Sequence, residues 1–216
     1  MIDLYSIPPQ MMLSLRGGEY EYVDLGLPSH LKWAKCNIGA ATETEYGDYF
    51  MWGSTKANTP DECTWANAPF NNGSSEYDSG YFTDSVKNTV CPNGILTKEY
   101  DAAAQIMGEG WRMPTQSDFQ ELIDNTNKEW TIVNGVNGYK FTSNKEGFQN
   151  NSIFIPAAGR CNDGSVNDVG DYGVVWSSSL NTSNPNNAWN LYFDSGDCSM
   201  DNSYRYSGRS VRGVRK

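Results

Sequence analysis

Apolar and polar residues alternate along residues 19–27 (EYEYVDLGL) and again along 31–38 (LKWAKCNI), with Pro28-Ser29 between them. Alternation with period two marks half-buried strands, so these runs predict a hairpin. A short aromatic segment, YGDYFMWG at 46–53, follows. Residues 54–92 lose all periodicity and are rich in Asn, Ser, Gly, Asp and Pro. They predict a long loop region pinned by Trp65, Phe70, Tyr77, Tyr81 and Phe82. The period then becomes helical. Tyr100, Ala103, Ala104 and Met107 fall at i, i+3, i+4 and i+7, with Thr97 as the N-cap and Gly108 as the stop. A second helix opens at Pro114-Thr115, where Thr115 and Asp118 have capping-box spacing and Phe119, Leu122 and Ile123 form the buried stripe. Short strands are predicted over 130–133, 137–142, 152–156, 174–178, 188–194 and 210–215, giving an α+β domain with long loops and no repeat of constant period.

The clearest strand is 188–194, AWNLYFD. Alternation points Trp189, Leu191 and Phe193 towards a core and Asn190, Tyr192 and Asp194 outwards. Around it lie Asn, Ser, Asp, Gly and Tyr, the residue types of adaptable polar recognition surfaces.

Composition changes the picture in one place. Residues 1–159 hold 8 Lys, 11 Glu and 5 Gln, whereas 160–215 hold none of the three. At the earlier rate this stretch would carry roughly eight. Its acids are only Asp and its bases only Arg. Solubility does not account for this, because Lys and Glu serve a solvated surface equally well.

A net charge of −10 opposes a nucleic-acid footprint, which needs clustered bases. The late arginines (205, 209, 212 and 215) are too few for one and are expected to pair with nearby Asp. Five cysteines (36, 63, 91, 161 and 198) occur without CxxC spacing, and His30 is the only histidine, which argues against zinc and favours free thiols, a single disulfide remaining open. Asp163, Asp168 and Asp171 read as turn formers rather than as a metal cluster. No apolar run has the length of a membrane span, and the start lacks the basic and apolar regions of a secretory signal. Synthesis in the cytoplasm is expected, compatible with later assembly into a particle or surface structure. The start (1–18) reads as an N-terminal arm and 19–216 as the binding domain.

WRMPTQSDF at 111–119 resembles the entry to the second helix of the C-type-lectin-like domain of formylglycine-generating enzymes and their relatives. RYSGRSVR at 205–212 resembles that fold's closing strand. More closely, YVDLGLPSHLKWAKCNIGA, YGDYFMWG, WRMPTQSDFQELI, NGYKF, SIFIPAAG, VVWSSSL and AWNLYF resemble the variable proteins of diversity-generating retroelements of gut Bacteroidetes and their phages. The resemblance covers nearly everything from Glu19 onward. It implies a C-type-lectin-like fold with two helices and short, mostly antiparallel strands, and a variable region at about 160–212. In that family, adenine-directed copying errors rewrite the 3′ end of the gene. Asn codons of AAY type can then become many residues but never Lys, Glu, Gln, Met or Trp, which would produce the omission and make Trp176, Trp189 and Met200 fixed positions.

The resemblance further implies a hypervariable ligand-binding protein directed at a protein or glycan, with no catalytic step, no cofactor and no metal. The expected contact set is Asn181, Thr182, Asn190, Tyr192, Asp194, Asp197, Ser199, Asp201, Asn202, Ser203, Tyr204, Tyr206, Ser207 and Arg209, flanked by the loop 162–172. Trp176, Trp189, Leu191, Phe193 and Val211 are the expected framework. Two other classes stand beside this reading. One is a diverged formylglycine-generating-type enzyme, although Cys198 stands alone where those enzymes use a cysteine pair. The other is a non-variable adhesin or particle subunit. The calcium-binding signatures of animal lectins are matched only by Asn184-Pro185-Asn186 and Trp189-Asn190-Leu191, without the acids that calcium needs.

Overall fold

The computed structural model describes residues 20–162 and 164–216, so the expected N-terminal arm and Asp163 lie outside the described residues. The expected hairpin forms over a short length: β1 (Tyr22–Asp24) and β2 (Lys32–Ala34) pair antiparallel, with Val23 opposite Trp33. The long region that follows contains a helix that periodicity does not show, α1 (Asp84–Val90), capped by the Thr83 hydroxyl. The next helix is shorter than expected. Thr97 opens a single 3₁₀ turn (Lys98–Tyr100), and the α-helix proper, α2 (Ala102–Ile106), starts after Asp101. The buried Asp101 carboxylate accepts from the N–H of Ala104 at 2.9 Å and from that of Met113 at 2.8 Å, tying α2 to the next strand, β3 (Trp111–Arg112). Such local acceptors make Asp a strong cap.

Helix α3 (Gln116–Asp124) has the expected cap and the expected stripe. Thr115 and Asp118 satisfy each other's backbone N–H, Arg112 donates to Asp118 at 2.7 Å, and Phe119, Leu122 and Ile123 are buried. Strands β4 (Thr126–Val133), β5 (Val136–Ser143) and β6 (Ser152–Pro156) follow as an antiparallel meander. A small pair, β7 (Arg160–Asn162) and β8 (Ser165–Asn167), comes next. Then β9 (Tyr172–Leu180), β10 (Asn187–Asp194) and β11 (Cys198–Tyr204) form a sheet in the order β11-β10-β9. The last strand, β12 (Val214–Arg215), returns between β2 and β3 and closes the chain on itself. Among the described residues this is a mixed α+β architecture with three α-helices, not the expected two, and mostly antiparallel strands in small sheets.

The β11-β10-β9 sheet has apolar clusters on both faces. Val175, Leu191 and Phe193 pack with Phe119, Leu122 and Trp33 on one side. Trp176, Leu180 and Ala188 pack with Phe50, Trp52, Phe82 and Trp111 on the other. A strand covered on both faces reads as a continuous buried run, and β9 is buried from Gly173 to Leu180. At Gly173 the approach is so close that a Cβ would stand 2.1 Å from the Phe193 ring, so the strand needs glycine there.

Two arginines that read as surface residues are pegs in this framework. The fully buried Arg205 donates to the carbonyls of Pro185 (2.8 Å) and Pro69 (3.0 Å), with its guanidinium 4.1 Å above the Phe82 ring. Trp65, Tyr77, Phe70 and Phe82 fix the long loop region as expected, whereas Tyr81 is 42% exposed. Arg212, also fully buried, donates to the carbonyls of Ala34, Lys35 and Phe154 and to Asn37 Oδ1. The expectation that the late arginines pair with Asp is therefore corrected: among the described residues, Arg205, Arg209 and Arg212 have no carboxylate within ion-pair distance. Carbonyl oxygens and ring faces take its place.

Candidate functional site

The site is built on the β10–β11 hairpin. Its turn is held by Asp194, whose carboxylate accepts from the N–H of Gly196 (2.7 Å) and Asp197 (2.8 Å). The Gly196 N–H, then the Tyr192 hydroxyl at 2.8 Å and then the Asp197 N–H hold the Asp194 pKa below its ordinary value. Burial, then Asp194 itself, pushes the Tyr192 phenol up to about 12. Beyond the turn the register is regular, with Tyr192 opposite Ser199, Leu191 opposite Met200 and Ala188 opposite Ser203. Strand β11 was not expected, since Asp, Asn and Ser are poor strand formers and CSMDNSY shows no apolar alternation.

On the β9 side the register shifts between Ala188 and Asn190. Asn190 then lies opposite Trp176, inside the layer, with no exposed surface. It is therefore not an outward contact residue; its amide donates to Ser203 Oγ at 3.1 Å. Trp189, expected in the core, is only half-buried and joins none of the three apolar clusters. Ser207 and Arg209 are likewise buried, at 5% and 6% exposure. They lie beneath the expected surface and are reached only from a cavity above them.

That cavity, of about 260 Å³, is lined by Arg160, Asn162, Asn187, Asn202, Ser203, Tyr204, Ser207 and Arg209. Five of the expected contact residues meet here. Asn187 donates to Asn202 Oδ1 at 2.6 Å, and Asn181 donates to the same oxygen at 3.2 Å, fixing the amides around the rim. Tyr204, half-exposed, stacks on Tyr206 with ring centres 5.8 Å apart, and Trp65 backs both rings at 6.1 and 5.1 Å. Trp65 brings the long loop region to the site, a juxtaposition its sequence position does not reveal. Asn187 and Arg160 also escaped the expected set. Their signal was membership in the stretch without Lys, Glu and Gln.

The remaining expected residues sit elsewhere. Tyr192, Asp194, Asp197 and Ser199 are towards the turn end of the hairpin, roughly 17–23 Å from Asn187 at the rise of a strand. Tyr172 joins them, its ring 5.5 Å from that of Tyr192. Thr182 faces a groove beside α1 together with Lys87 and Asn88. Asp201 is exposed on β11. In the flanking loop, Asp168 accepts from the Tyr172 hydroxyl at 2.8 Å and pairs with Arg160 at 3.1 Å. A larger cavity of about 400 Å³, beside Lys35, Cys36 and Thr42, contains none of the expected contact residues.

No known protein family, characterised protein or solved structure matches the chain.

Chemically, the cavity and hairpin offer amides, hydroxyls, two guanidinium groups and stacked phenol rings, which suit hydrogen bonding and stacking. His30 lies exposed in the Pro28–Leu31 turn, remote in sequence from these groups. Burial pushes the Cys198 thiol up to about 12. At pH 7 roughly one molecule in 10⁵ would then carry the thiolate, the only nucleophilic form. Peptide mapping after alkylation is expected to find Cys198 unlabelled at pH 7 in the native protein and labelled after unfolding. Its effect on stability has a defined sign. Below pH 9 the thiol is protonated folded and unfolded alike, and between pH 9 and about 12 the unfolded chain alone ionises, so stability falls as pH rises. Rapid native labelling at pH 7 would instead identify an activated thiol. Among the described residues, no helix is long and apolar enough to cross a membrane.

Proposed function

We propose that this chain is a hypervariable ligand-binding protein of C-type-lectin-like fold, related to the variable proteins of diversity-generating retroelements, without a catalytic step. One observation carries this reading. All eight residues lining the 260 Å³ cavity belong to the stretch 160–215, which has no Lys, Glu or Gln, and the same stretch supplies the buried Trp176, Leu191, Phe193, Val211 and Arg212. A segment rewritten at Asn codons would leave the framework untouched and confine change to the residues around such an opening. The ligand would be a protein or glycan held by the cavity rim, the Tyr204–Tyr206 stack and the outer side of β11. The turn residues Tyr192, Asp194, Asp197 and Ser199 would serve a ligand large enough to span the hairpin.

The test is to sequence the 3′ end of the gene and its flank across many related isolates. Variation at Asp201, Asn202, Ser203 and Tyr204, with Trp176, Leu191, Phe193, Arg205 and Arg212 unchanged and a near-copy carrying adenines nearby, is the expected result. A uniform 3′ end without a near-copy would remove the diversification reading. Replacing the exposed Asp201 and Tyr204 together by Ala is expected to cost no more than about 1–2 kcal/mol, since exposed positions contribute about 0.5 kcal/mol each. Thermal melting checks this.

A further inference from the structure

Arg209 is the group in the cavity that its surroundings leave incomplete. It is 6% exposed, its Nε has no hydrogen-bond partner, and the one described hydrogen bond of its side chain is to the neighbouring Gly208 carbonyl at 3.2 Å. Its guanidinium lies 5.9 Å from the Trp176 ring centre, and among the described residues no carboxylate stands within ion-pair distance of it. Arg160 lines the same cavity and is near enough for its charge to disfavour that of Arg209. No Asp or Glu lines the cavity among the described residues, in a chain of net charge −10. Arg160 already meets the Asp168 carboxylate through Nε at 3.1 Å, so Arg209 is the guanidinium left to call for an anion, and a planar carboxylate matches its donor fork.

The rest of the lining narrows the ligand. Asn187 Oδ1 is buried without a donor, so it needs a ligand hydroxyl or N–H. Ser203 and Ser207 add hydroxyls, and Tyr204 alone offers a broad apolar face. A short acidic side chain on methylene groups would leave these polar atoms unanswered, whereas a hydroxylated ring bearing a carboxylate would engage them. The volume suits one such ring.

We propose that this cavity is a subsite for a sugar acid, with the carboxylate held between Arg160 and Arg209 and a ring hydroxyl donating to Asn187 Oδ1. The proposal deepens the ligand-binding reading and rests on it. The test is an NMR titration of the full-length protein, following Arg Nε–H and Asn side-chain signals, with glucuronate, glucose and glutarate as separate probes. Glucuronate is expected to shift the Arg209 and Asn187 signals saturably, with glucose and glutarate much weaker. Arg160→Gln is expected to weaken glucuronate about tenfold or more, the loss of one charge-assisted contact. Arg160 is exposed, so this variant keeps the fold, which its own spectrum verifies. Ser207→Ala provides a second, smaller loss. Equal binding of glutarate would reassign the cavity to acidic protein side chains and overturn the proposal. Equal binding of glucose, or no saturable shift, would overturn it as well. The titration does not depend on sequence variation. A silent titration with variable 3′ ends would remove the subsite alone, and glucuronate binding with uniform 3′ ends would remove the diversified surface alone.

Discussion

Arg212→Met is expected to destabilise the protein by about 3–5 kcal/mol, the range found when one member of a buried polar network is removed. The guanidinium joins distant parts of the chain. It donates to Asn37 Oδ1 at 2.8 Å, to the carbonyls of Ala34 and Lys35 beside β2, and to that of Phe154 in β6 at 3.1 Å. Methionine fills similar space but removes the donor from four acceptors, three of them buried and the Lys35 carbonyl part-buried, each buried one costing about 1–3 kcal/mol less whatever entering water recovers. Relief of the desolvated charge offsets part of the loss. Burial already pulls the Arg212 pKa down to about 10, so the group remains charged at neutral pH and that penalty is present. Arg212→Lys is not expected to rescue stability, because an ammonium cannot present a planar fork to acceptors in several directions. Urea unfolding of the three proteins decides the matter. A loss below about 1 kcal/mol for the Met variant would mean that the desolvation cost cancels the bonds.

The same residue illustrates what the sequence does not disclose. Helix α3 was legible because its signals are local: Thr115, Asp118 and the stripe of Phe119, Leu122 and Ile123 lie within nine positions. Arg212 takes its partners from residues 34, 35, 37 and 154, and no local pattern announces acceptors so far away. Helix α1 was hidden for another reason. DSVKNTV contains poor helix formers and buries only Val90, so neither propensity nor a stripe marks it. In the candidate site, the omission of Lys, Glu and Gln singled out the stretch that lines the cavity but not the depth of its members. Asn190, Ser207 and Arg209 share a composition with Asn202 and Tyr204, yet they lie beneath them. Depth depends on the sheet having a core on each face, and polarity alone assigns every such residue to solvent.

Trp176→Ala is expected to cost about 3–5 kcal/mol, as for other fully buried aromatic residues, and Trp189→Ala only about 1 kcal/mol. Simple alternation along 188–194 leads to the opposite emphasis, with Trp189 as the core residue of its strand. The structure separates the two tryptophans. Trp176 is fully buried among Phe50, Trp52 and Val211, and its indole N–H donates to the Phe50 carbonyl at 2.8 Å, so truncation removes packing and one of the two hydrogen bonds to that carbonyl, which keeps the Arg209 N–H at 3.0 Å. Trp189 is half-buried and contributes to no apolar cluster. Its backbone still serves the sheet by accepting from Ser177 Oγ at 2.7 Å, a bond that the alanine variant keeps. The register shift between Ala188 and Asn190 accompanies this difference, with Asn190 rather than a tryptophan opposite Trp176 inside the layer. Parallel thermal and urea melts of the two variants are the measurement. Equal losses would mean that β10 presents Trp189 to the core and that the shift is absent in solution. A large loss at Trp176 alone would place the boundary between framework and the proposed ligand-facing surface within β10, between the Leu191–Phe193 segment and the end that carries the half-buried Asn187 and Trp189.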